Sequence, residues 1–214
     1  MNATLQKLEQ FGIVPVVVLD DAADAAPLAK ALYDGGLACA EVTFRTAAAE
    51  ESIRIMTTEY PDMVVGAGTV LTTDQVDRAI AAGAKFIVSP GLDPKIVTYC
   101  IEKNIPITPG VITPSEIAKA IALGLDVVKF FPAEPSGGLA MIKAVAAPYN
   151  QLRFMPTGGI NAKNALPYLQ YDKIIACGGS WMVKSDLIKE GKFDEITALT
   201  KEAVSLVRSA REVK

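Results

Sequence analysis

Three observations predict a single-domain α/β fold, a (β/α)8 barrel. Short apolar runs recur along the chain, segments with helical start and stop signals separate them, and the runs number eight. They are Val14 to Leu19, Cys39 to Phe44, Val64 to Val70, Phe86 to Ser89, Ile105 to Thr108, Val127 to Phe131, Arg153 to Thr157 and Ile174 to Cys177, spaced by about twenty to twenty-six residues. Strands alternating with helices at this spacing build right-handed parallel βαβ units, and eight such units can close into a barrel. Pattern alone leaves a doubly wound open sheet as the alternative. With 214 residues, half of them hydrophobic, the chain suffices for one sizeable core and is short for two. No linker or low-complexity tract interrupts the series, so one domain over residues 1–214 is expected.

The apolar stretch Gly12 to Leu19 is too short to span a bilayer, follows no basic segment and meets Asp20 and Asp21 rather than a small-residue cleavage site, which suggests a cytoplasmic protein. Pro27 fits poorly inside a helix, so the helix after this run should start late or kink. Further along, Thr72 with Gln75 and Thr113 with Glu116 read as capping boxes, the latter with Pro114 at the first helical position. Asp93 followed by Pro94 signals another helix start. Gly83 and Gly124 stand where left-handed caps would end two helices. Near the C-terminus Phe193, Ile196, Thr200, Ala203, Val204 and Val207 make a helical apolar stripe.

Strand parity then points at chemistry. In Val127-Val128-Lys129-Phe130-Phe131, Val128 and Phe130 supply the face a helix layer requires, which turns Lys129 inward with Val127 and Phe131. Lysine is almost never fully buried without a partner or a role. Lys85 and Lys173 differ, because they precede their apolar runs and fall at the opposite end of the barrel, where a lysine can snorkel to water. In Cys39-Ala40-Glu41-Val42-Thr43-Phe44-Arg45, Ala40, Val42 and Phe44 face the helices while Glu41, Thr43 and Arg45 face inward. A buried ion pair, Glu41 with Arg45 or Glu41 with Lys129, is the purely structural reading; such pairs are costly to desolvate and weak as stabilisers.

Glycines cluster at strand ends. Gly66-Ala67-Gly68-Thr69 closes the third run, Pro156-Thr157-Gly158-Gly159-Ile160-Asn161 closes the seventh and is expected to enter a helix, and Cys177-Gly178-Gly179-Ser180 closes the eighth. Glycine lets a ligand approach the backbone, and glycine turns after the seventh and eighth strands are where barrels commonly hold phosphate.

Composition narrows the possibilities. The formal charge is −3 with charges scattered, so no footprint for nucleic acid or an anionic membrane appears. The cysteines Cys39, Cys100 and Cys177 are odd in number, far apart and set in apolar surroundings, as buried free thiols of a reducing compartment are. There is no histidine, the commonest metal ligand and general base, so proton transfer falls to carboxylate, lysine, tyrosine or water.

The motifs Glu41-Val42-Thr43-Phe44-Arg45-Thr46, Gly66-Ala67-Gly68-Thr69-Val70, Ser89-Pro90-Gly91, Lys129-Phe130-Phe131-Pro132-Ala133-Glu134, Pro156-Thr157-Gly158-Gly159 and Gly178-Gly179-Ser180-Trp181, in this order, resemble the bifunctional 2-keto-3-deoxy-6-phosphogluconate (KDPG) and 4-hydroxy-2-oxoglutarate (KHG) aldolases. The resemblance covers nearly the whole chain and is weakest in the first dozen residues and the last helix. It implies a class I aldolase, a carbon-carbon lyase of the Entner-Doudoroff pathway, with Lys129 as the Schiff-base lysine and Glu41 as an acid/base working partly through a bound water. Arg45, Thr69 and Thr157 would bind the pyruvyl carboxylate, Pro90 and Phe131 would shape the pocket wall, and Gly158, Gly159, Gly179 and Ser180 would hold the phosphate. It also implies a cytoplasmic homotrimer with neither cofactor nor metal, acting on a phosphorylated keto-acid.

Three other functions compete. A metal-dependent aldolase would have only oxygen-rich sites to offer a cation. A barrel that merely binds phosphorylated metabolites explains the glycine turns but not Lys129, Glu41 and Arg45 together. An isomerase or epimerase has no need of an imine-forming lysine.

Overall fold

Alternating β-branched and small residues give the chain its strands, which run β1 Ile13–Val17, β2 Cys39–Thr43, β3 Val64–Gly68, β4 Ile87–Ser89, β5 Ile107–Val111, β6 Val127–Phe130, β7 Arg153–Pro156 and β8 Cys177–Gly179. The computed structural model describes residues 1–212; Val213 and Lys214, the last two residues of the expected domain, lie outside the described residues. All the strand pairs are parallel, in the order β7-β6-β5-β4-β3-β2-β1-β8. The bridges Phe154↔Ile174 and Thr157↔Gly178 join β7 to the segment of β8 and close the ring. The barrel is therefore the fold, and the open sheet is set aside.

Helices follow the strands as α2 Ala25–Gly35, α3 Ala49–Glu59, α4 Thr73–Ala81, α5 Pro94–Glu102, α6 Pro114–Ala122, α7 Gly138–Ala146 and α8 Ala165–Leu169, with α9 Ser185–Lys189 and α10 Phe193–Glu212 after β8. Their ends follow the sequence signals. Thr113 and Glu116 form a complete capping box around Pro114, and Asp93 accepts from the Lys95 amide at 2.8 Å. Thr72 caps the Gln75 amide, but Gln75 reaches back to the Leu71 amide rather than to Thr72. Pro27 is accommodated by a late start, because a 3-10 turn over Ala22–Asp24 precedes α2 and puts the proline in the first helical turn, where its missing N–H has no intrahelical acceptor to lose. Gly83 and Gly124 take positive φ after α4 and α6, as left-handed caps require. On α10, Ile196, Thr200, Ala203 and Val207 are buried.

Most strands match the expected runs to within one or two residues at their ends, and β5 and β8 are shifted along the chain. The β5 segment begins at Ile107 rather than Ile105, because Ile105 completes the turn after α5 by donating its amide to the Cys100 carbonyl at 3.0 Å. The β8 segment is Cys177–Gly179 rather than Ile174 to Cys177, so Gly178 and Gly179 belong to the strand itself. Glycine is a poor strand former, but here small residues are needed: a Cβ on Gly178 would lie 2.2 Å from Thr157 Oγ1, and one on Gly179 would lie 1.9 Å from the Trp181 ring.

Nothing in the sequence reading anticipated α1, Ala3–Phe11, which precedes β1. Its signals were Asn2 as N-cap, which accepts from the Thr4 amide, and leucines three apart. Leu5 and Leu8 join Val14, Cys39, Val64, Phe86, Val88, Val127, Met155, Ile175 and Ala176 in the core inside the barrel. The helix thus plugs the N-terminal end, at about 1.5–3 kcal/mol for each leucine buried. A larger core lies between the outer strand faces and the helices, and includes Ala40, Val42, Val128 and Phe130. No helix among the described residues is long and apolar enough to cross a membrane.

Candidate active site

With the N-terminal end plugged, the open end is the one at the strand C-termini. The alternation of faces behaves as strand geometry demands: Cys39 and Val127 pack inside, Ala40, Val42, Val128 and Phe130 pack outside, and Glu41 and Lys129 therefore point in. Because β2 and β6 are separated by three strands, their inward side chains meet across the interior. Lys129 Nζ lies 3.4 Å from Glu41 Oε1, with Lys129 5% and Glu41 0% exposed. Lys85 is exposed, and Lys173 donates to the Asn150 carbonyl at the other end of the barrel.

The glycines of β3 leave space for side chains. A Cβ on Gly68 would fall 2.3 Å from Glu41 Oε1, and one on Gly66 would fall 2.4 Å from the Phe86 ring. They make room for inward side chains from the neighbouring strands. Among the described residues Glu41 Oε2 is buried without a hydrogen-bond partner, as are Thr108 Oγ1 and Thr157 Oγ1. An unmatched buried polar atom costs about 1–3 kcal/mol, and native structures keep few of them outside functional sites.

Around this pair stand the other expected residues. The Phe131 ring centre is 5.0 Å from Lys129 Nζ, and a cis peptide joins Phe131 to Pro132. Gly110, the register partner of Lys129 on β5, would carry a Cβ 2.1 Å from the Pro90 carbonyl oxygen, so Pro90 is packed against the strand beside the lysine. Arg45 differs from expectation: it stands beyond the end of β2, exposed at the rim rather than inside. Its Nε donates to Thr69 Oγ1 at 3.4 Å, and among the described residues it makes no ion pair. Glu41 pairs with Lys129 and not with Arg45. Thr43 donates to the Val17 carbonyl at 3.0 Å, which ties β2 to β1 beneath the rim. Thr69 has φ +54°, a left-handed conformation that a β-branched residue adopts at a cost of order 1–3 kcal/mol, and it is this turn that presents its hydroxyl to Arg45.

A cavity of about 440 Å³ opens above, lined by Val16, Arg45, Phe131, Thr157, Gly158, Gly159, Gly179 and Ser180 among others. Lys129 and Glu41 do not line it; they stand deeper along β6 and β2 than Phe131 and Arg45, which do, and the Phe131 ring links the lysine to the cavity wall. Lys184, and Ser185 and Asp186 at the start of α9, also line it and were not anticipated; the sign in the sequence was their place a few residues after Gly178-Gly179-Ser180. The diglycine does not enter a helix as expected, since α8 starts at Ala165. It is a free-standing turn with φ +104° at Gly158 and +81° at Gly159. Its carbonyls are tied back: the Glu134 amide donates to Gly158 O at 3.0 Å, and Asn164 Nδ2 and Asn161 Nδ2 donate to Gly159 O at 3.0 and 3.3 Å. Among the described residues the amides of Gly158, Gly159 and Ser180 donate to none, so N–H groups are left at the cavity wall, as an anion requires.

The thiols stand apart. Burial pushes the Cys39 and Cys177 thiols far up and the Cys100 thiol to about 12, so none has nucleophilic thiolate character near neutral pH.

This arrangement, a buried amine against a carboxylate below a mouth lined by Arg45 and unbonded amides, suits imine chemistry on a small keto-acid. The family model described as "KDPG and KHG aldolase" matches residues 4–199. The chain belongs to the KDPG and KHG aldolase family. It is an aldolase, a carbon-carbon lyase, and relatives agree along its length. It is 50% identical over 204 residues to a 2-dehydro-3-deoxy-phosphogluconate aldolase of Haemophilus influenzae, covering 95% of this chain and 96% of that one. Among solved structures, the KDPG aldolase of Legionella pneumophila with pyruvate captured as a covalent carbinolamine superposes with TM-score 0.91 at 37% identity, covering 94% of this aldolase and 98% of that chain. The Zymomonas mobilis enzyme with 3-phosphoglycerate superposes with TM-score 0.88 at 43% identity, covering 94% and 95%.

Proposed function

We propose that this aldolase cleaves KDPG to pyruvate and glyceraldehyde 3-phosphate, reversibly, through a Schiff base on Lys129. The observation that carries the reading is the contact of Lys129 with Glu41 inside the barrel, below a cavity rimmed by Arg45 and unbonded amides. The covalent pyruvate of the Legionella relative supports it.

In this reading the neutral amine of Lys129 adds to the C2 ketone, and the carbinolamine hydroxyl takes up a proton and leaves as water to give an iminium. Glu41, through its unpartnered Oε2 or a water on it, takes the proton of the C4 hydroxyl; the C3–C4 bond breaks and its electron pair enters the iminium. The aldehyde leaves as glyceraldehyde 3-phosphate and an enamine of pyruvate remains. Glu41 returns the proton to C3, and water hydrolyses the imine. Arg45, Thr69 and Thr157 hold the pyruvyl carboxylate, Pro90 and Phe131 wall the pocket, and Gly158, Gly159, Gly179 and Ser180 hold the distal phosphate.

KHG, whose distal anion is a carboxylate, is the second substrate under this reading. The resemblance also supports one domain over residues 1–214, assembled as a homotrimer in the cytoplasm, with no cofactor or metal and no nucleic-acid or membrane partner. The deciding experiment measures pyruvate release from a panel of keto-acids, and adds borohydride with pyruvate to trap an adduct. An adduct mapped to Lys129 is expected; an adduct elsewhere, or chelator-sensitive activity without one, overturns the reading.

A further inference from the structure

The loop after β6 and the turn after β7 are joined by more than the barrel ladder. Beyond the last paired residues, the Thr157 amide donates to Phe130 O at 3.0 Å, the Ala133 amide to Thr157 O at 2.8 Å and the Glu134 amide to Gly158 O at 3.0 Å. Glycine is required at both turn positions by this apposition: a Cβ would lie 3.2 Å from Pro132 Cα at Gly158 and 2.6 Å from Glu134 Cβ at Gly159. The Glu134 backbone therefore holds one glycine carbonyl while its side chain stem lies against the other glycine.

The carboxylate of Glu134 then accepts from the phenol of Tyr168 on α8, the helix into which the diglycine turn leads. Tyr168 is 3% exposed, and burial together with the Glu134 hydrogen bond keeps its phenol protonated far above its ordinary range, so it is a permanent donor. A Cβ on Gly138 would lie 2.8 Å from both Glu134 Oε1 and the Tyr168 hydroxyl, which leaves the pair no freedom to be displaced by a larger residue there. One hydrogen-bonded pair thus joins the loop that continues from Lys129 to the helix that follows Gly158-Gly159, and packs closely against Gly138 at the start of α7.

We propose that Glu134 and Tyr168 are positioning residues that hold the Gly158-Gly159 turn in the geometry that binds the substrate's distal anion, in fixed register with the lysine strand. Neither touches substrate. The inference rests on the phosphate role given above to the diglycine turn. Its consequence is selective: with the latch cut, Glu134 is no longer anchored against the turn it holds, while Lys129, Glu41 and Arg45 keep their contacts.

The test uses the full chain carrying Tyr168→Phe, which keeps the buried ring and removes the donor, and separately Glu134→Gln, which keeps an acceptor for the phenol. KM and kcat are measured for KDPG and for its dephosphorylated form, with borohydride trapping of pyruvate alongside. Tyr168→Phe should raise KM for KDPG by about tenfold, the effect of one hydrogen bond to a charged group, and leave the dephosphorylated substrate and the trapping rate within about twofold. Glu134→Gln should recover most of the KDPG affinity. Equal losses on both substrates, or a preference for phosphate undiminished in Tyr168→Phe, overturn the latch. If the parent chain itself shows no phosphate preference, the phosphate reading of the turn is what fails, and the latch falls with it.

Discussion

Lys129 Nζ and Glu41 Oε1 are 3.4 Å apart although 88 residues separate them in the chain, and the second carboxylate oxygen is left without a partner among the described residues. A pair kept only for stability would use both oxygens, because desolvation of each charge is costly. Lys129→Ala should abolish borohydride trapping and, by leaving a carboxylate unpaired, destabilise the fold by about 3–5 kcal/mol. Adding Glu41→Gln to that variant should restore much of the stability, which thermal unfolding measures. Glu41→Gln alone should still form the imine slowly but lose exchange of the pyruvate methyl protons with solvent. Exchange at the parent rate would move the acid/base role to another group.

Gly68 has no contact with substrate in the proposed scheme, yet Gly68→Ala should impair catalysis. Its Cβ would lie 2.3 Å from Glu41 Oε1 and 2.9 Å from Glu41 Cδ, so the carboxylate has to move. Proton exchange should fall by about 10²-fold or more, the scale of a misplaced general base, with imine trapping reduced much less. Equal losses in both assays would mean that the alanine disturbs the whole barrel.

In the proposed scheme the unbonded amides of Gly158, Gly159 and Ser180 and the Ser180 hydroxyl should give phosphate selectivity. At about 1.5–3 kcal/mol for a hydrogen bond to a charged group, two or three partly additive bonds should separate KDPG from its dephosphorylated form by roughly three to four orders of magnitude in kcat/KM. Ser180→Ala should narrow that gap. Comparable efficiencies on the two substrates in the parent chain would turn the reading towards KHG.

The thiols predict a pH dependence. Burial pushes the Cys100 thiol to about 12 and those of Cys39 and Cys177 higher, whereas an unfolded cysteine titrates near about 8.5. Above that pH the unfolded chain releases protons that the folded chain retains, so stability present below about pH 8.5 should decline as pH rises towards 12. In neutral buffer the native protein should resist thiol reagents and the urea-unfolded chain should react at all of its three cysteines. Rapid labelling of the native chain would contradict the burial of these groups.

Leu8 tests the plug. It is fully buried inside the barrel, so Leu8→Ala should cost about 2–5 kcal/mol in urea unfolding, well above a typical surface helix. A loss below about 1 kcal/mol would show that α1 does not seal that end.

Much of this was legible in the residues themselves. Strand parity alone turned Lys129 and Glu41 inward, because side chains alternate faces whatever the tertiary context, and the caps at Thr113, Asp93, Gly83 and Gly124 formed where local hydrogen bonding and left-handed φ call for those residue types. Other features had no local signature. Gly178 and Gly179 are strand residues only because Thr157 and Trp181 occupy the space a side chain would need. Ile105 is lost from β5 to a turn that its own β-propensity opposes. Arg45 shares its parity with Glu41 but stands outside, because the strand stops at Thr43.

The sequence by itself determined the period of the fold, the inner and outer faces of each strand and the chemical types available at the site, since these depend on interactions between near neighbours. Tertiary structure alone decided which residues meet: that Glu41 pairs with Lys129 rather than Arg45, that Gly68 is vacant for that carboxylate, that α1 closes one end, and that Glu134 reaches Tyr168 beside the diglycine turn. Those relationships are set by barrel closure, which brings strands and loops distant in the chain within a few ångströms of one another, and no local propensity encodes such distances.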